Sequence, residues 1–460
     1  MNRIKKDDII LETVAFLTLG CKVNSYETEA MQKLFEEQGF VVVDFSEKAD
    51  VYVINTCTVT NIADRKSRQM LHKARKMNEN AIVIAVGCYV QAAEETLKED
   101  VAIDLVIGNN RKKDIVHILK EYVYGEDKSK DTVIDIGKET FYEELSIESV
   151  AEKTRAYIKI QDGCNQFCSY CIIPYARGRV RSRRDEEVIK EVNNLVKKGY
   201  KEVILTGIHL SSYGIDFDKT EETSDYEDVI KRNHLLDLIV KISEIDGLAR
   251  IRLGSLEPRI ITEEFVKTLA NNEKLCPHFH LSLQSGSNAT LKRMNRRYSA
   301  EEYYEKCELL RKHFDNPAIT TDVIVGFPGE TEEEFIETKE FLEKVNFASM
   351  HIFKYSVRKG TKAATMKDQI KEEIKSERSN ILMELEKEMA KNYRETFIGR
   401  KERILVEEQV VINGVKYQLG HNERYLKLAI LADNDYTNEI KSVKVLAHLD
   451  KDIMFCEIMD

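Results

Sequence analysis

The sequence predicts an α/β protein in three parts: an amino-terminal α/β domain, a central partial (β/α)6 barrel and a small carboxy-terminal β-barrel. Three observations predict it. Along roughly the first 120 residues, short apolar runs alternate with amphipathic helical stretches, the pattern of a parallel sheet covered by helices. Six further strand-and-helix units follow. After Gly399 the chain turns to β-formers set between Asn-Gly and Asp-Asn turns. The 460 residues leave room for roughly two to four domains of about 150 residues, and the boundaries fall at residues 10–125, 150–390 and 397–460.

The elements follow in order. VAFLTLG (residues 14–20), DVYVINT (50–56) and AIVIAVG (81–87) read as buried strands, each followed directly by a cysteine: Cys21, Cys57 and Cys88. In an open α/β sheet the loops leaving the carboxyl ends of the strands converge on one crevice, so three thiols far apart in sequence arrive at one edge. Residues 129–149 are polar and acidic without a clear period and are expected to form a linker. Barrel strands are expected at RAYIKIQ (155–161), EVILTGI (202–208), RIRLGSL (250–256), HFHLSLQ (278–284), TTDVIVG (320–326) and ASMHIFKYS (348–356). Helices over 185–198, 262–271 and 331–344 lie between them, with Thr262 and Thr331 as N-caps. A charged helical run over 367–394 leads into the last domain.

Composition narrows the function classes. Apolar residues at 42% and charged residues at 33% are an ordinary soluble balance. No apolar run approaches the ~20 residues of a membrane helix. Asp7, Asp8 and Glu12 interrupt any apolar signal core in the opening segment, so a cytoplasmic protein is expected. Nine cysteines are too sparse and too odd in number for a disulfide scaffold, and their clustering points to metal. A net charge of -10 argues against indiscriminate coating of nucleic acid and leaves local basic patches free to grip one.

The most informative run is DGCNQFCSYCIIP, where Cys164, Cys168 and Cys171 follow the first barrel strand with C-x3-C-x2-C spacing. Three thiolates on one loop can hold three irons of a 4Fe-4S cluster and leave the fourth open to another ligand. A structural zinc site needs four ligands, and no nearby Cys or His completes one at the usual spacing.

This motif, with an aromatic at Tyr170, resembles that of radical S-adenosylmethionine enzymes. The likeness extends through TLGCKVNSYETEAM, INTCTVT, VGCYVQ, GCNQFCSYCIIPYARGRVRSR, LTGIHLSSYG, LSLQSGSNATLKRMNRRY and DVIVGFPGET to the methylthiotransferases, over nearly the whole chain. It implies an amino-terminal domain with an auxiliary cluster, a radical S-adenosylmethionine barrel and a carboxy-terminal RNA-binding β-barrel of the TRAM type. It further implies two [4Fe-4S] clusters, one on Cys164, Cys168 and Cys171 and one on Cys21, Cys57 and Cys88. S-adenosyl-L-methionine would be both methyl donor and radical source. From the residues alone, the second trio reads equally as buried small apolar side chains; the resemblance favours ligation. Cys276, Cys307 and Cys456 have no such context and read as core thiols.

Within the family, GCKVNSYETE, with Lys22, Val23 and the Tyr26-Glu27 pair, is similar to the branch that methylthiolates C2 of N6-threonylcarbamoyladenosine beside the tRNA anticodon. That C2–H bond is too strong and too weakly acidic for a side-chain base, so cofactors must supply a radical. The alternatives are isopentenyladenosine or a ribosomal protein as substrate and, from another class, a non-catalytic RNA-binding iron-sulfur redox sensor. A tRNA substrate, a one-electron donor of flavodoxin or ferredoxin type, no membrane and a monomer complete the expectation.

Thr206, Gly207, Ser255, Glu257, Gln284, Asp322 and Gly326 end successive barrel strands and are expected to converge on one mouth and hold S-adenosylmethionine there, a site a sensor would not need. Gly207 allows close backbone approach, whereas Gly326 and its neighbours read equally as a tight turn. Arg177, Arg179, Arg181, Arg183 and Arg184, directly beyond the cluster loop, are the expected RNA-phosphate contacts. Residues 65–76 add six Lys/Arg with no acid. Either run reads otherwise as a solvated face. Residues 399–460 hold nine basic against eleven acidic residues, which shifts the expected RNA affinity away from this barrel. Tyr417 and Tyr425 read there as base-stacking platforms or as core.

Overall fold

The computed structural model describes residues 4–6, 9–125, 132–147, 154–217, 233–431 and 434–459. A short hairpin of β1 (Lys5–Lys6) and β2 (Ile9–Ile10) precedes a five-stranded parallel sheet. Its strands are β3 (Thr13–Thr18), β4 (Val41–Val43), β5 (Val51–Thr56), β6 (Ile82–Gly87) and β7 (Leu105–Ile107), in the order β4-β3-β5-β6-β7. All six residues of both β5 and β6 are buried, because helices cover both faces, and their sequences accordingly run apolar without alternation. The chain moves from β3 to β4 and then crosses to β5 on the other side of β3. The switch point thus lies where Cys21 and Cys57 leave the sheet.

The central barrel joins β8 (Arg155–Asp162), flanked by the antiparallel β9 (Arg181–Ser182), to β10 (Glu202–Gly207), β11 (Arg250–Leu253), β12 (His278–His280), β13 (Ala318–Val325) and β14 (Ser349–Lys354). All neighbouring pairs are parallel, with β11 and β12 linked through the bridges Ile251–Leu275 and Leu256–Leu281. Among the described residues β8 and β14 do not pair, so the barrel is open on one side. Side chains alternate across the strands. Ala156, Ile158 and Ile160 pack outward against Val188, Val192 and Leu195 of the helix Asp185–Lys197. Arg155, Tyr157, Lys159 and Gln161 take the opposite, inner face, so the barrel interior is polar. Thr262 and Thr331 cap their helices as expected, accepting from the backbone N–H of Phe265 and Glu334.

The helix Lys22–Glu36 joins the two domains. Met31 and Phe35 pack into the core of the sheet, while Tyr26 and Ala30 belong to the core of the barrel. The expected linker is a packed strap where it is described: Val133, Ile136, Leu145 and Ile147 are buried. The Leu145 carbonyl accepts from Tyr26 Oη at 2.5 Å, and the Ile147 N–H donates to Glu191 at 2.7 Å. Its apolar residues are too widely spaced for a periodic signal, and they bury against two domains at once. Residues 126–131 and 148–153 lie outside the described residues.

The last domain is a closed barrel of β15 (Lys401–Ile412), β16 (Val415–His421), β17 (Lys427–Ile430), β18 (Ile440–Asp450) and β19 (Ile453–Ile458), in the order β15-β16-β17-β19-β18. It seats on the amino-terminal ends of the central strands. Arg250 donates to the carbonyls of His421 (2.9 Å) and Arg403 (2.7 Å), and Arg252 to those of Glu423 (2.8 Å) and Asn422 (3.1 Å). Tyr425 is held here, stacked on His421 and His278 and covered by Arg155 and Arg252. It is a packing residue of this junction rather than a platform for bases. Cys276, Cys307 and Cys456 are buried, as the sequence leads one to expect.

Candidate functional site

The loop after β8 is shaped by its glycine. Gly163 has φ +71°, and a Cβ there would lie 1.8 Å from the Arg179 carbonyl oxygen, so no other residue fits. The Cys164 N–H donates to the Gly178 carbonyl (3.0 Å) and the Cys171 N–H to the Cys168 carbonyl (3.0 Å), which wraps the three cysteines around one space. Burial pushes the Cys164 thiol up to about 12, and the Cys171 thiol is raised by burial and by Cys168 and Cys164. Arg296 Nη1 donates to Cys168 Sγ at 3.3 Å.

The second trio meets at the carboxyl edge of the amino-terminal sheet. Gly20 (φ +103°) brings its backbone so close to Cys57 that a Cβ would lie 2.9 Å from the sulfur. Burial raises Cys57 to about 11; Cys21, exposed at the crevice edge, is raised by partial desolvation there, and each of these thiols feels the charge of Cys88. Cys88 Sγ accepts from Arg177 Nε at 3.1 Å and from Asn109 Nδ2 at 3.7 Å. Arg177 is fully buried and also donates to Glu27 (2.8 Å), Asp162 (3.1 Å) and Asn24 (2.6 Å). Lys159 bonds Glu27 and Asp162 at 2.7 Å each, and Lys112 also pairs with Glu27. With Arg181 3.7 Å from Asp162, four buried cations face two carboxylates whose pKa values they hold well below the usual range against the opposing effect of burial.

The sulfur spacing discriminates between metals. Among the described residues, only His280, Asp322 and His351 bring three ligand atoms within 4.8 Å of one another. One zinc with bonds of about 2.3 Å would hold its sulfurs roughly 4 Å apart. Neither cysteine trio is drawn together as a single zinc would hold it.

Residues 158–342 match the radical SAM superfamily, and residues 13–108 match the uncharacterized protein family UPF0004. The threonylcarbamoyladenosine tRNA methylthiotransferase MtaB of Bacillus subtilis (strain 168) is 42% identical over 437 residues, 95% of this chain and 94% of that protein. The protein of the same name from Aquifex aeolicus (strain VF5) is 43% identical over 86% of this chain and 93% of its own. This chain belongs to the radical S-adenosylmethionine methylthiotransferase family. Its fold is similar to that of the radical S-adenosylmethionine methyltransferase TsrM from Kitasatospora setae, with a TM-score of 0.54 at 15% identity over 77% of each chain.

For a member of this family, which uses S-adenosylmethionine and iron-sulfur clusters, the strand-end residues fall into two groups. Thr206 is buried at the end of β10, beside Gly207, whose added Cβ would lie 2.9 Å from Gln161 Oε1. Ser255 is exposed beyond β11. Glu257 sits close enough to Cys164 to raise its pKa, and its carboxylate takes Arg259 Nε at 2.7 Å. Gln284 holds a left-handed φ of +76°. Asp322 and Gly326 are engaged within the protein. Asp322 is paired with His280 at 3.4 Å and His351 at 3.1 Å, and the space over Gly326 is filled by Lys375, 2.3 Å from an added Cβ.

The arginine run needs correction. Arg177, Arg181 and Arg183 are buried and serve the interior: Arg177 and Arg181 face Asp162, and Arg183 pairs with Glu191 and Glu144. They cannot reach RNA phosphate. Only Arg179 and Arg184 are exposed, each lying 4.5 Å over an aromatic ring, Phe167 and Phe217 respectively. The charge run in sequence could not disclose that three of its five members turn into the interior. By contrast, Arg65, Lys66, Arg68, Lys73 and Lys76 of the helix Asn61–Met77 are exposed, on an element that begins four residues after Cys57.

Two residues of the site lie inside runs quoted for the family likeness, LSLQSGSNATLKRMNRRY and LTGIHLSSYG, without being singled out there. Arg296 supports Cys168. His209 is kept neutral by burial, with its pKa pushed down to about 4; its Nδ1 bonds Ser212 Oγ at 2.7 Å and its Nε2 has no partner among the described residues. Only its place beyond LTGI hinted at a role.

Proposed function

We propose that this methylthiotransferase converts N6-threonylcarbamoyladenosine in tRNA to its 2-methylthio derivative. Cys164, Cys168 and Cys171 would hold one [4Fe-4S] cluster and Cys21, Cys57 and Cys88 the other. The observation that carries the reading is the convergence of two separate cysteine trios, each with its own arginine, the half-buried Arg296 on Cys168 and the buried Arg177 on Cys88. The bound cofactors supply a carbon-centred radical and the methyl and sulfur atoms that are transferred.

The protein's own residues position and insulate. Arg296 and Arg177 orient the cysteine sulfurs to which they donate, Cys168 and Cys88. The Glu27–Asp162–Lys112–Lys159 network locks the sheet domain against the open side of the barrel, which keeps the distance between the trios constant and water out of the joint. Neutral His209 offers a polar nitrogen near Glu257 without adding charge. Arg179, Arg184 and the exposed basic face of the helix Asn61–Met77 would take RNA phosphates, with positional rather than sequence-reading contacts. Thr206, Gly207, Ser255, Glu257 and Gln284 would hold S-adenosylmethionine. A flavodoxin- or ferredoxin-type donor would supply electrons to a monomeric, cytoplasmic enzyme; among the described residues no helix is long and apolar enough to cross a membrane.

The test is nucleoside analysis of tRNA from cells lacking the protein. Loss of the 2-methylthio-threonylcarbamoyl nucleoside, with its unmethylthiolated precursor accumulating, is the expected result. An unchanged profile rules out this substrate.

A further inference from the structure

The sheet domain meets the open side of the barrel along two edges. The Arg177 network holds the edge at β8, and the segment that leaves β14 at the barrel mouth holds the other. Its first residue continues the strand pairing, with the Tyr355 N–H donating to the Val325 carbonyl at 2.9 Å. Ser356 Oγ then accepts from the Asn61 N–H at 3.2 Å. Arg358, 7% exposed, spreads its guanidinium over the loop that follows Cys57. Nη1 donates to Asn61 Oδ1 at 2.7 Å, and Nη2 to Thr58 Oγ1 at 2.6 Å and Asp64 Oδ2 at 2.7 Å. Asp64 also accepts from Thr58 Oγ1 at 2.7 Å, so acid, hydroxyl and guanidinium bond one another within the joint. Thr58 is buried and is the chain neighbour of Cys57.

A few residues further on, the same segment reaches the other cysteine loop. The Thr361 N–H and Oγ1 both donate to the Arg358 carbonyl, at 3.1 and 2.7 Å, and Gly360 takes the φ of +89° that this turn requires. The Ala363 N–H then donates at 2.7 Å to the carbonyl of Ser169, which lies between Cys168 and Cys171. Tyr170 of that loop packs on Phe327, and Phe327 on Tyr355, with ring centroids 6.3 and 5.4 Å apart. Ala363 is buried in the same small apolar cluster. The stretch from Arg358 to Ala363 could span at most about 18 Å if fully extended, and the turn shortens it. One short, cross-braced piece of chain thus touches both cysteine loops.

We propose that residues 355–363 form a bracket that fixes the separation of the two cluster sites, with Arg358 as the positioning residue that seats the Cys57 loop against it. This rests on the two-cluster reading given above. Arg358 touches no reacting atom; it acts through Thr58 on the place of Cys57. The reaction gives a fixed separation its purpose, because groups delivered from two sites must meet at one substrate carbon, and a misplacement of about 1 Å can cost on the order of a hundredfold in rate. Arginine suits the position, since one planar fork reaches three oxygens in different directions, which an ammonium does not.

The test uses cluster-loaded Arg358→Ala protein and two readouts. One is the dipolar coupling between the two reduced clusters, measured by pulsed electron paramagnetic resonance; it falls with the cube of their separation and so reports distance rather than stability. The other is the ratio of methylthiolated RNA to 5'-deoxyadenosine formed. Expected are iron for both clusters, continued 5'-deoxyadenosine formation, a shifted or broadened coupling, and a product ratio about tenfold to a hundredfold below wild type. Arg358→Lys, which keeps the charge opposite Asp64 and loses the fork, should lie between the two. A wild-type coupling in Arg358→Ala overturns the bracket whatever the ratio, and an unchanged ratio beside a changed coupling overturns its role in the reaction. If Arg358→Ala fails to take up iron, Thr58→Val, close in shape and lacking the hydroxyl, decides in its place: a changed coupling supports the bracket and an unchanged one overturns it. Wild-type protein with iron for a single cluster overturns the two-cluster reading and this assignment with it.

Discussion

Replacing Arg177 with leucine tests the joint between the domains. The guanidinium is fully buried and donates to Cys88, Glu27, Asp162 and Asn24. Removing one partner of a buried ion pair costs about 3–5 kcal/mol, because the remaining charge keeps its desolvation penalty. Lys112 and Lys159 still compensate Glu27, and Lys159 still compensates Asp162, which places the loss near the lower end, about 3 kcal/mol. With a urea dependence of about 3 kcal/mol per molar, the unfolding midpoint followed by circular dichroism should fall by about 1 M. Arg179→Ala is the control: an exposed substitution should stay within about 0.5 kcal/mol while lowering tRNA affinity and its salt dependence by about one charge. A midpoint unchanged in Arg177→Leu, together with a loss of RNA affinity as large as in Arg179→Ala, would refute the assignment of Arg177 to the interior.

Two further outcomes follow from the same geometry. Cys164→Ala should remove the iron of the barrel trio and end formation of 5'-deoxyadenosine, whereas Cys57→Ala should keep that cleavage and stop sulfur insertion; methylthiolated RNA from the Cys57→Ala protein would contradict the division of labour. Acid should loosen the domain joint. The folded-state pKa values of Glu27 and Asp162 lie well below their unfolded ones, so their contribution is full above the unfolded range near pH 4 and is lost as pH falls from there toward the native values. Hydrogen exchange of the helix Lys22–Glu36 between pH 6 and about pH 3 should show protection falling with pH; constant protection would exclude these carboxylates as its source.

Much of this protein is written in local pattern. The strands before Cys21, Cys57 and Cys88 were legible because both faces of β5 and β6 are buried, which forces unbroken apolar runs, and the spacing of Cys164, Cys168 and Cys171 needs nothing beyond the loop that carries them. The helix caps at Thr262 and Thr331 are equally local, a hydroxyl and a backbone N–H three residues on. What remained for the tertiary structure concerned burial of charge. RGRVRSRR presents five similar arginines in sequence, yet Arg177, Arg181 and Arg183 turn inward and Arg179 and Arg184 outward, because three acids wait on one side only: Glu27 from the amino-terminal domain, Asp162 at the end of β8 and Glu191 on the following helix. The packed strap between domains was hidden for the same reason: its few apolar residues find partners only when two domains meet.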